Sequence, residues 1–278
     1  MNIVESIAGL RDVVRRTRRS GARIGFVPTM GYLHAGHLSL VSASRSAADF
    51  TVASIYVNPT QFAPGEDLSR YPRDPEGDRA KLEAAGCDLL YMPSPEEIYP
   101  EGYGTFVDVE GITARYEGAF RPDHFRGVAT IVAKLFMIVA PDVAVFGQKD
   151  AQQAAVVRRM IADLHFDIEL LVCPTMRDPD GLAMSSRNVY LSADEREQAL
   201  SISRGLRAAK AAIDAGASIQ DAESSLRQAI SPAFAVDYAD IIDAATFQRA
   251  ASPGDRLLAV FAGRIGSTRL IDNLPLRN

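Results

Sequence analysis

Residues 22–37 read Ala-Arg-Ile-Gly-Phe-Val-Pro-Thr-Met-Gly-Tyr-Leu-His-Ala-Gly-His. The apolar run Ala22–Val27 ends at Pro28, the pattern of a buried strand closed by a breaker. A helix is predicted over His37–Ala48, followed by a second apolar run, Phe50–Val57, that ends at Asn58-Pro59. Strand, glycine-bearing loop, helix and strand make one β-α-β unit, whose parallel crossover is right-handed.

The same alternation continues outward. Strands are predicted at Asp88–Met92, Thr105–Val109, Asp142–Phe146 and Asp167–Val172, and helices at Pro75–Ala85, Val128–Val139 and Ala151–Leu164. Strands alternating with helices imply a parallel sheet covered on both faces, an α/β fold of the Rossmann-like, doubly wound type. Ligands of such sheets bind beyond the carboxyl ends of the strands, where the strand order reverses. After about residue 180 the texture changes. Ser192-x-x-Glu195 forms a capping-box pattern, and Ala199, Ile202, Leu206, Ala209 and Ile213 follow as the stripe of an amphipathic helix with Gly216 as its stop. A second helix is predicted over Ser218–Ile230. Strands are predicted at Val236–Ile242, Arg256–Ala262 and Ser267–Ile271, with Gly263–Gly266 as a hairpin turn. The expected division is a Rossmann-like domain over 1–178 and a smaller α+β domain over 179–278. Two polar stretches, Pro64–Asp78 and Gly118–Gly127, are long enough to be functional loops or plain surface excursions.

Composition narrows the class. The 278 residues are 47% hydrophobic and 23% charged, ordinary globular usage, which excludes disordered and fibrous chains. Thirty basic and 35 acidic residues leave a net charge of −5, and the pI is about 5.5, so there is no electrostatic footprint for nucleic acid. Cys87 and Cys173 form no metal or redox spacing and no disulfide scaffold. Met1–Ser6 lacks the basic and apolar regions of a signal peptide. The most apolar stretch, Val128–Phe146, is interrupted by Lys134, Pro141 and Asp142, too short for a bilayer span. A soluble, cytoplasmic chain is expected.

Three segments carry chemistry. In Met30–His37, two histidines three residues apart at a helix start can face one way, Gly31 and Gly36 admit close backbone approach, and the helix N-terminus attracts phosphate. Alternatives are a core histidine pair or half of a zinc site. Only His124 and His165 remain as further imidazoles, and neither cysteine is spaced as a partner. In Gly181–Asn188, two hydroxyls and Arg187 suit a triphosphate, although a Ser-Ser-Arg run is commonly a loop. In Phe146-Gly147-Gln148-Lys149-Asp150, Lys149 offers positive charge and Asp150 either a ligand contact or a helix cap, with Gln153 one turn on. Together they point to a nucleoside triphosphate attacked at its α-phosphate, held in one pocket.

Pro28-Thr29-Met30-Gly31-x-Leu33-His34-x-Gly36-His37 resembles the HIGH-type signature of the nucleotidylyltransferase superfamily, in wording closest to the pantoate–β-alanine ligase family. Val57-Asn58-Pro59-x-Gln61-Phe62, Tyr71-Pro72-Arg73, His124-Phe125-Arg126-Gly127-Val128, Gly147–Asp150 and Asp180–Asn188 also resemble that family, in its order. The resemblance implies a two-step ligation of pantoate and β-alanine with ATP and Mg²⁺ through a pantoyl adenylate. It implies that Met30, Gly31, His34, Gly36 and His37 hold ATP, with His37, His34 and Lys149 as catalytic groups. Gly147, Gln148, Lys149 and Asp150 would be further nucleotide contacts. Met176, Met184, Ser185, Ser186 and Arg187 would be the counterpart of the KMSKS loop. Gln61 and Gln153 would bind pantoate, so residues 1–178 would be the nucleotide- and pantoate-binding domain. It also implies a homodimer and a lid over Pro64–Asp78. Gln148 stands where that family usually has Glu, and Ala35 where Glu is common. Another nucleotidylyltransferase, or a nucleotide-binding module without catalysis, remains an alternative reading of the same residues.

Overall fold

The computed structural model describes residues 1–250 and 256–277. The chain divides into two compact units. The first comprises Met1–Glu110, Arg121–Gly147 and Val156–Pro174, and the second Gly111–Phe120, Gln148–Ala155 and Thr175–Asn278.

The first unit is built on β1 (Asn2–Val4), β2 (Ile24–Thr29), β3 (Phe50–Ile55), β4 (Leu89–Tyr91), β5 (Val143–Gly147) and β6 (Glu169–Cys173), all parallel, in the order β1-β4-β3-β2-β5-β6. Its helices are α1 (Ile7–Arg19), α2 (Ala35–Ala47), α3 (Pro75–Ala84), α4 (Pro95–Ile98) and α6 (His124–Val139), with the body of α7 (Ala151–Asp163). The strands are short and apolar because both sheet faces are covered. Val27, Ala53, Leu90, Val143 and Val145 pack with Val41 of α2 and Leu82 of α3 on one face. On the other face, α6 is buried almost all round, and Phe136 meets Phe146 edge-on. At Gly25 a side chain would collide with Ser44, so the glycine lets α2 lie close to β2.

The predicted β-α-β unit is present, with one instructive difference. β2 runs on through Pro28 to Thr29. Asp142 N donates to Ile24 O and Tyr56 N to Thr29 O, so residues 24, 26 and 28 face β5 and the odd ones face β3. Pairing with β5 ends at Phe26, so the N–H that Pro28 lacks has no strand opposite it. Thr105–Val109 is not a strand: Val107 N is taken by the Thr130 hydroxyl at 2.9 Å instead of a ladder. The polar stretches are partly helical, since α3 begins at Pro75 and α6 at His124, and Glu117–Phe120 forms a turn of helix, α5. Unforeseen were β1 and α1, the latter capped by Ser6 and burying only Leu10 and Val14 beneath a basic surface.

The second unit is α+β. β7 (Ala235–Asp243), β8 (Leu257–Ile265) and β9 (Thr268–Pro275) form an antiparallel sheet in that order, covered by α8 (Ala193–Asp214) and α9 (Ile219–Ala229). Ser192 and Glu195 make the predicted capping box, and Gly216 has the positive φ (83°) of a helix stop. The hairpin turn is tighter than predicted: Gly263–Ile265 belong to β8, leaving Gly266-Ser267 as the turn. Among the described residues no helix is long and apolar enough to cross a membrane.

Candidate active site

The strand order reverses between β2 and β5, so the carboxyl ends of interest in the first unit are Thr29 and Gly147. From Thr29 the chain turns sharply. Gly31 and Tyr32 both have positive φ, 82° and 52°. The left-handed conformation of a tyrosine costs about 1–3 kcal/mol, so something must hold it. The holder is Asp78 of α3, only 1% exposed, whose two carboxylate oxygens accept from Tyr32 N and Leu33 N, both at 2.6 Å. A side chain on Gly31 would press on Asp78 and Ile55, each 3.0 Å from the would-be Cβ.

The loop delivers His34 as the N-cap of α2. His34 Nδ1 accepts from Gly36 N at 3.1 Å, and His37 Nδ1 accepts from His34 N at 3.3 Å. This is a capping box made of two imidazoles, with ring centroids 4.1 Å apart. A ring nitrogen that accepts carries no proton, so each neutral ring keeps its proton on Nε2. The helix start therefore sets both rings as Nε2–H donors, beside backbone N–H groups and a positive dipole end.

Gln61 is 8% exposed and reached from both sides. Asn58 Nδ2 donates to its Oε1 at 3.1 Å, and its Nε2 meets Met30 Sδ at 2.9 Å, so the structure brings Met30 and Gln61 together. His124 contacts the Gln61 carbonyl through Nδ1 at 2.8 Å. A carbonyl only accepts, so His124 is protonated on Nδ1, and its Nε2 accepts from Arg121 at 3.1 Å. Arg121 also pairs with both Glu66 oxygens at 2.7 Å. Burial pushes the Glu66 carboxyl up, but the Arg121 hydrogen bond and charge outweigh it and hold it below its ordinary value. Arg126 stacks on the Phe106 ring at 4.1 Å. Gly147 ends β5, and a Cβ there would meet nothing within 4 Å among the described residues.

The remaining predicted residues lie in the second unit. Gln148–Asp150 form a single 3-10 turn, half-buried, with Lys149 Nζ 3.4 Å from Asp150 Oδ1. Gln152, the buried neighbour of half-buried Gln153, fixes the first turn of α7. Its Nε2 donates to Ile112 O and Arg115 O, both at 2.8 Å, and its Oε1 accepts from Glu117 N at 3.0 Å. Glu117 is itself buried against Arg269 and the Tyr238 hydroxyl. Met176 is exposed, and Met184 N donates to Met176 O at 3.0 Å. Ser185 caps the 3-10 turn Ser186–Tyr190 by accepting from Arg187 N at 3.3 Å, and Ser186 is buried. Asp180 is held below its ordinary value by the Leu182 N–H and by Arg196. Among the described residues, no group of three or more His, Cys, Asp or Glu is arranged to hold a metal ion.

Sequence reasoning missed the supports: Asp78, Asn58, Gln152, and Asn273 on β9, which bonds the Gln148–Lys149 backbone. Asn58 lay in a quoted motif, and Gln152 stood beside Gln153 in the third segment. The others carry no local signal, because their partners are tens of residues away.

Comparison with known proteins adds an independent line. A family model described as pantoate-beta-alanine ligase matches residues 2–275. A protein of Acetivibrio thermocellus named pantothenate synthetase is 50% identical over 282 aligned positions, covering 99% of each chain. The crystal structure of pantothenate synthetase from Thermus thermophilus is 48% identical, superposes with a TM-score of 0.96 and covers 100% of both chains. That of the Francisella tularensis pantoate-beta-alanine ligase, complexed with beta-gamma ATP and beta-alanine, is 32% identical with a TM-score of 0.83, covering 99% of this chain and 98% of that one.

Proposed function

The chain belongs to the pantoate–β-alanine ligase family, and from that premise we propose how its own residues carry out the reaction. It is an ATP-dependent ligase joining pantoate to β-alanine. A carboxylate becomes a good electrophile only with a good leaving group. A pantoate oxygen attacks the α-phosphorus of ATP, a P–O bond forms, and the bond to the β-phosphate oxygen breaks as pyrophosphate leaves with the electron pair. The β-alanine amine then attacks the acyl carbon, a C–N bond forms, the C–O bond to AMP breaks, and the amine gives up a proton.

The first step gathers negative charge on the phosphates, where fixed donors are most effective. His34 and His37 supply Nε2–H donors, and His37 is the group assigned to the transition state. The observation that carries this reading is the reciprocal imidazole cap at the start of α2, which fixes both tautomers before any ligand arrives. Met30, Gly31 and Gly36 line the backbone approach. Lys149 neutralises phosphate charge, with Gly147, Gln148 and Asp150 as its neighbours on the nucleotide. Met176 and Met184–Arg187 form the second nucleotide segment. Gln61 and Gln153 hydrogen-bond pantoate, two neutral groups suited to a small hydroxy acid.

Mg²⁺ would arrive with ATP and would neutralise phosphate charge; a hard cation of this kind needs only one or two carboxylates from the protein, and partly exposed Asp150 would be the one to hold it. The stretch Pro64–Asp78, in which Glu66 pairs with Arg121, acts as a lid, because an acyl adenylate is lost if water reaches it. We assign residues 1–178 to nucleotide and pantoate binding and 179–278 to a smaller domain, in a cytoplasmic homodimer. The unbridged thiols Cys87 and Cys173 suit a reducing compartment.

The test is isotope exchange between pyrophosphate and ATP. Exchange that requires pantoate supports adenylation of that acid. Exchange that runs without it would instead fit another nucleotidyl transfer.

A further inference from the structure

Lys149 stands on a one-turn element between β5 and α7, and one turn positions a side chain only as well as its own backbone is held. The hold comes from the other end of the chain. Asn273 on β9 is 4% exposed. Its Nδ2 donates to Gln148 O at 2.9 Å and to Lys149 O at 2.8 Å, and its Oδ1 accepts from Gln148 Nε2 at 3.0 Å. All three bonds go to the same dipeptide, and both donors of the amide are used. The Gln148 side chain matters here, since a carboxylate in its place could not donate to Asn273 Oδ1.

The preceding residue, Asp272, is 5% exposed and holds a second segment. Arg177 meets it with two bonds, Nη1 at 2.6 Å and Nη2 at 3.0 Å, the planar fork geometry that fixes direction as well as distance. Arg177 Nη1 also reaches Gly181 O at 3.2 Å, and its backbone bridges Ala183, so the turn before Met184–Arg187 is clamped. Asn273 N donates to Asp272 Oδ1 at 2.8 Å and ties the two arms together. One dipeptide on β9 thus touches both segments that the second unit contributes to the reaction.

We propose that Asp272-Asn273 is a positioning brace for catalysis, in which Asn273 sets the place of Lys149 and Asp272 that of the Met176–Arg187 segment. The inference rests on the reading of Lys149 as a phosphate contact. Neither brace residue does chemistry; each acts through the backbone it holds. A misplacement near 1 Å at a charged contact can cost on the order of 10²-fold in rate.

Asn273→Asp keeps the shape and the acceptor but removes both donors to the carbonyls of Gln148 and Lys149. It is expected to lower pantoate-dependent pyrophosphate–ATP exchange by about 10–100-fold. The KM for β-alanine should stay unchanged. In a Lys149→Ala background the same change should cost less than about 3-fold, because residues acting as a unit are not additive. Asn273→Ser retains one donor and should fall between, which keeps the series readable if the aspartate variant does not fold. Full exchange in Asn273→Asp, or equal losses in both backgrounds with Lys149→Ala itself impaired, would overturn the brace alone. Lys149→Ala with unimpaired exchange would overturn the reading of Lys149, and the brace with it.

Discussion

The start of α2 and the turn after β5 are both held by side chains bonded to backbone, but the supports differ in reach. At α2 the ties are local: His37 caps His34 three residues away, and His34 caps Gly36 two away. Asp78 adds one longer tie to the loop that feeds them. At the Gln148–Asp150 turn the support comes from Asn273, 124 and 125 positions away. The first region carries strain, with Tyr32 in the left-handed region, and balances it with a buried carboxylate. In the second, the partners of Lys149 and of its backbone include Asp150 and a neutral amide. A helix start orients donors by its own cap, whereas a single turn must borrow order from a neighbouring sheet.

The comparison can be broken at its strongest point first. His37→Ala removes the donor proposed for the developing charge and is expected to lower turnover about 10²–10³-fold, with a smaller effect on ATP binding. Steady-state kinetics beside direct nucleotide titration separate the two. Equal losses in both would assign His37 to ground-state binding.

Asp78→Ala comes next. It leaves the buried Leu33 N–H and the part-buried Tyr32 N–H without their acceptor, and Tyr32 without the contact that offsets its φ. The expected outcome is about 1–3 kcal/mol lower stability in denaturant unfolding, with turnover falling by an order of magnitude or so. Unchanged turnover in a destabilised variant would mean the loop keeps its shape without Asp78, and the contrast with the second region would lose its basis.

A smaller effect sharpens the other side. Gln153→Ala should raise the pantoate KM by about 10-fold, the worth of one hydrogen bond, and leave the ATP KM nearly alone. Comparable shifts in both would count against its assignment.

Smallest at neutral pH is Glu66→Gln, worth roughly 1 kcal/mol for a pair that is partly solvated. Arg121 holds the Glu66 carboxyl below its ordinary value of 4.5, so the native state binds its proton less readily than the unfolded chain. Its contribution is present above pH 4.5 and fades as the pH falls through the lowered native value. The stability difference between wild type and Glu66→Gln should therefore shrink on acidification. A difference that grows as the pH falls would reverse the assignment.

What was legible in the sequence follows the same division. The His34/His37 pair, the α8 capping box and the β-α-β unit depend on spacings of a few residues, and these spacings are visible in any single chain. α1 was missed because arginines surround a stripe of only Leu10 and Val14. Thr105–Val109 was misread because its alternation serves packing beside α6, with Val109 buried and Phe106 under Arg126, instead of pairing. Asp78, Asn273 and Asp272 were illegible as site residues because their roles exist only once distant segments meet. The polar stretch Pro64–Asp78 overlaps the helix predicted over Pro75–Ala85, and the charge of Asp78 gives no hint that it is buried within that helix.

The central claim is that the start of α2 fixes both imidazoles as Nε2–H donors for phosphate. Nitrogen-15 NMR of the histidine rings at neutral pH tests it directly. The account predicts unprotonated Nδ1 and protonated Nε2 for both His34 and His37, with the Nε2 resonances moving when MgATP is added. A protonated Nδ1 on either ring, or Nε2 resonances indifferent to the nucleotide, would contradict it.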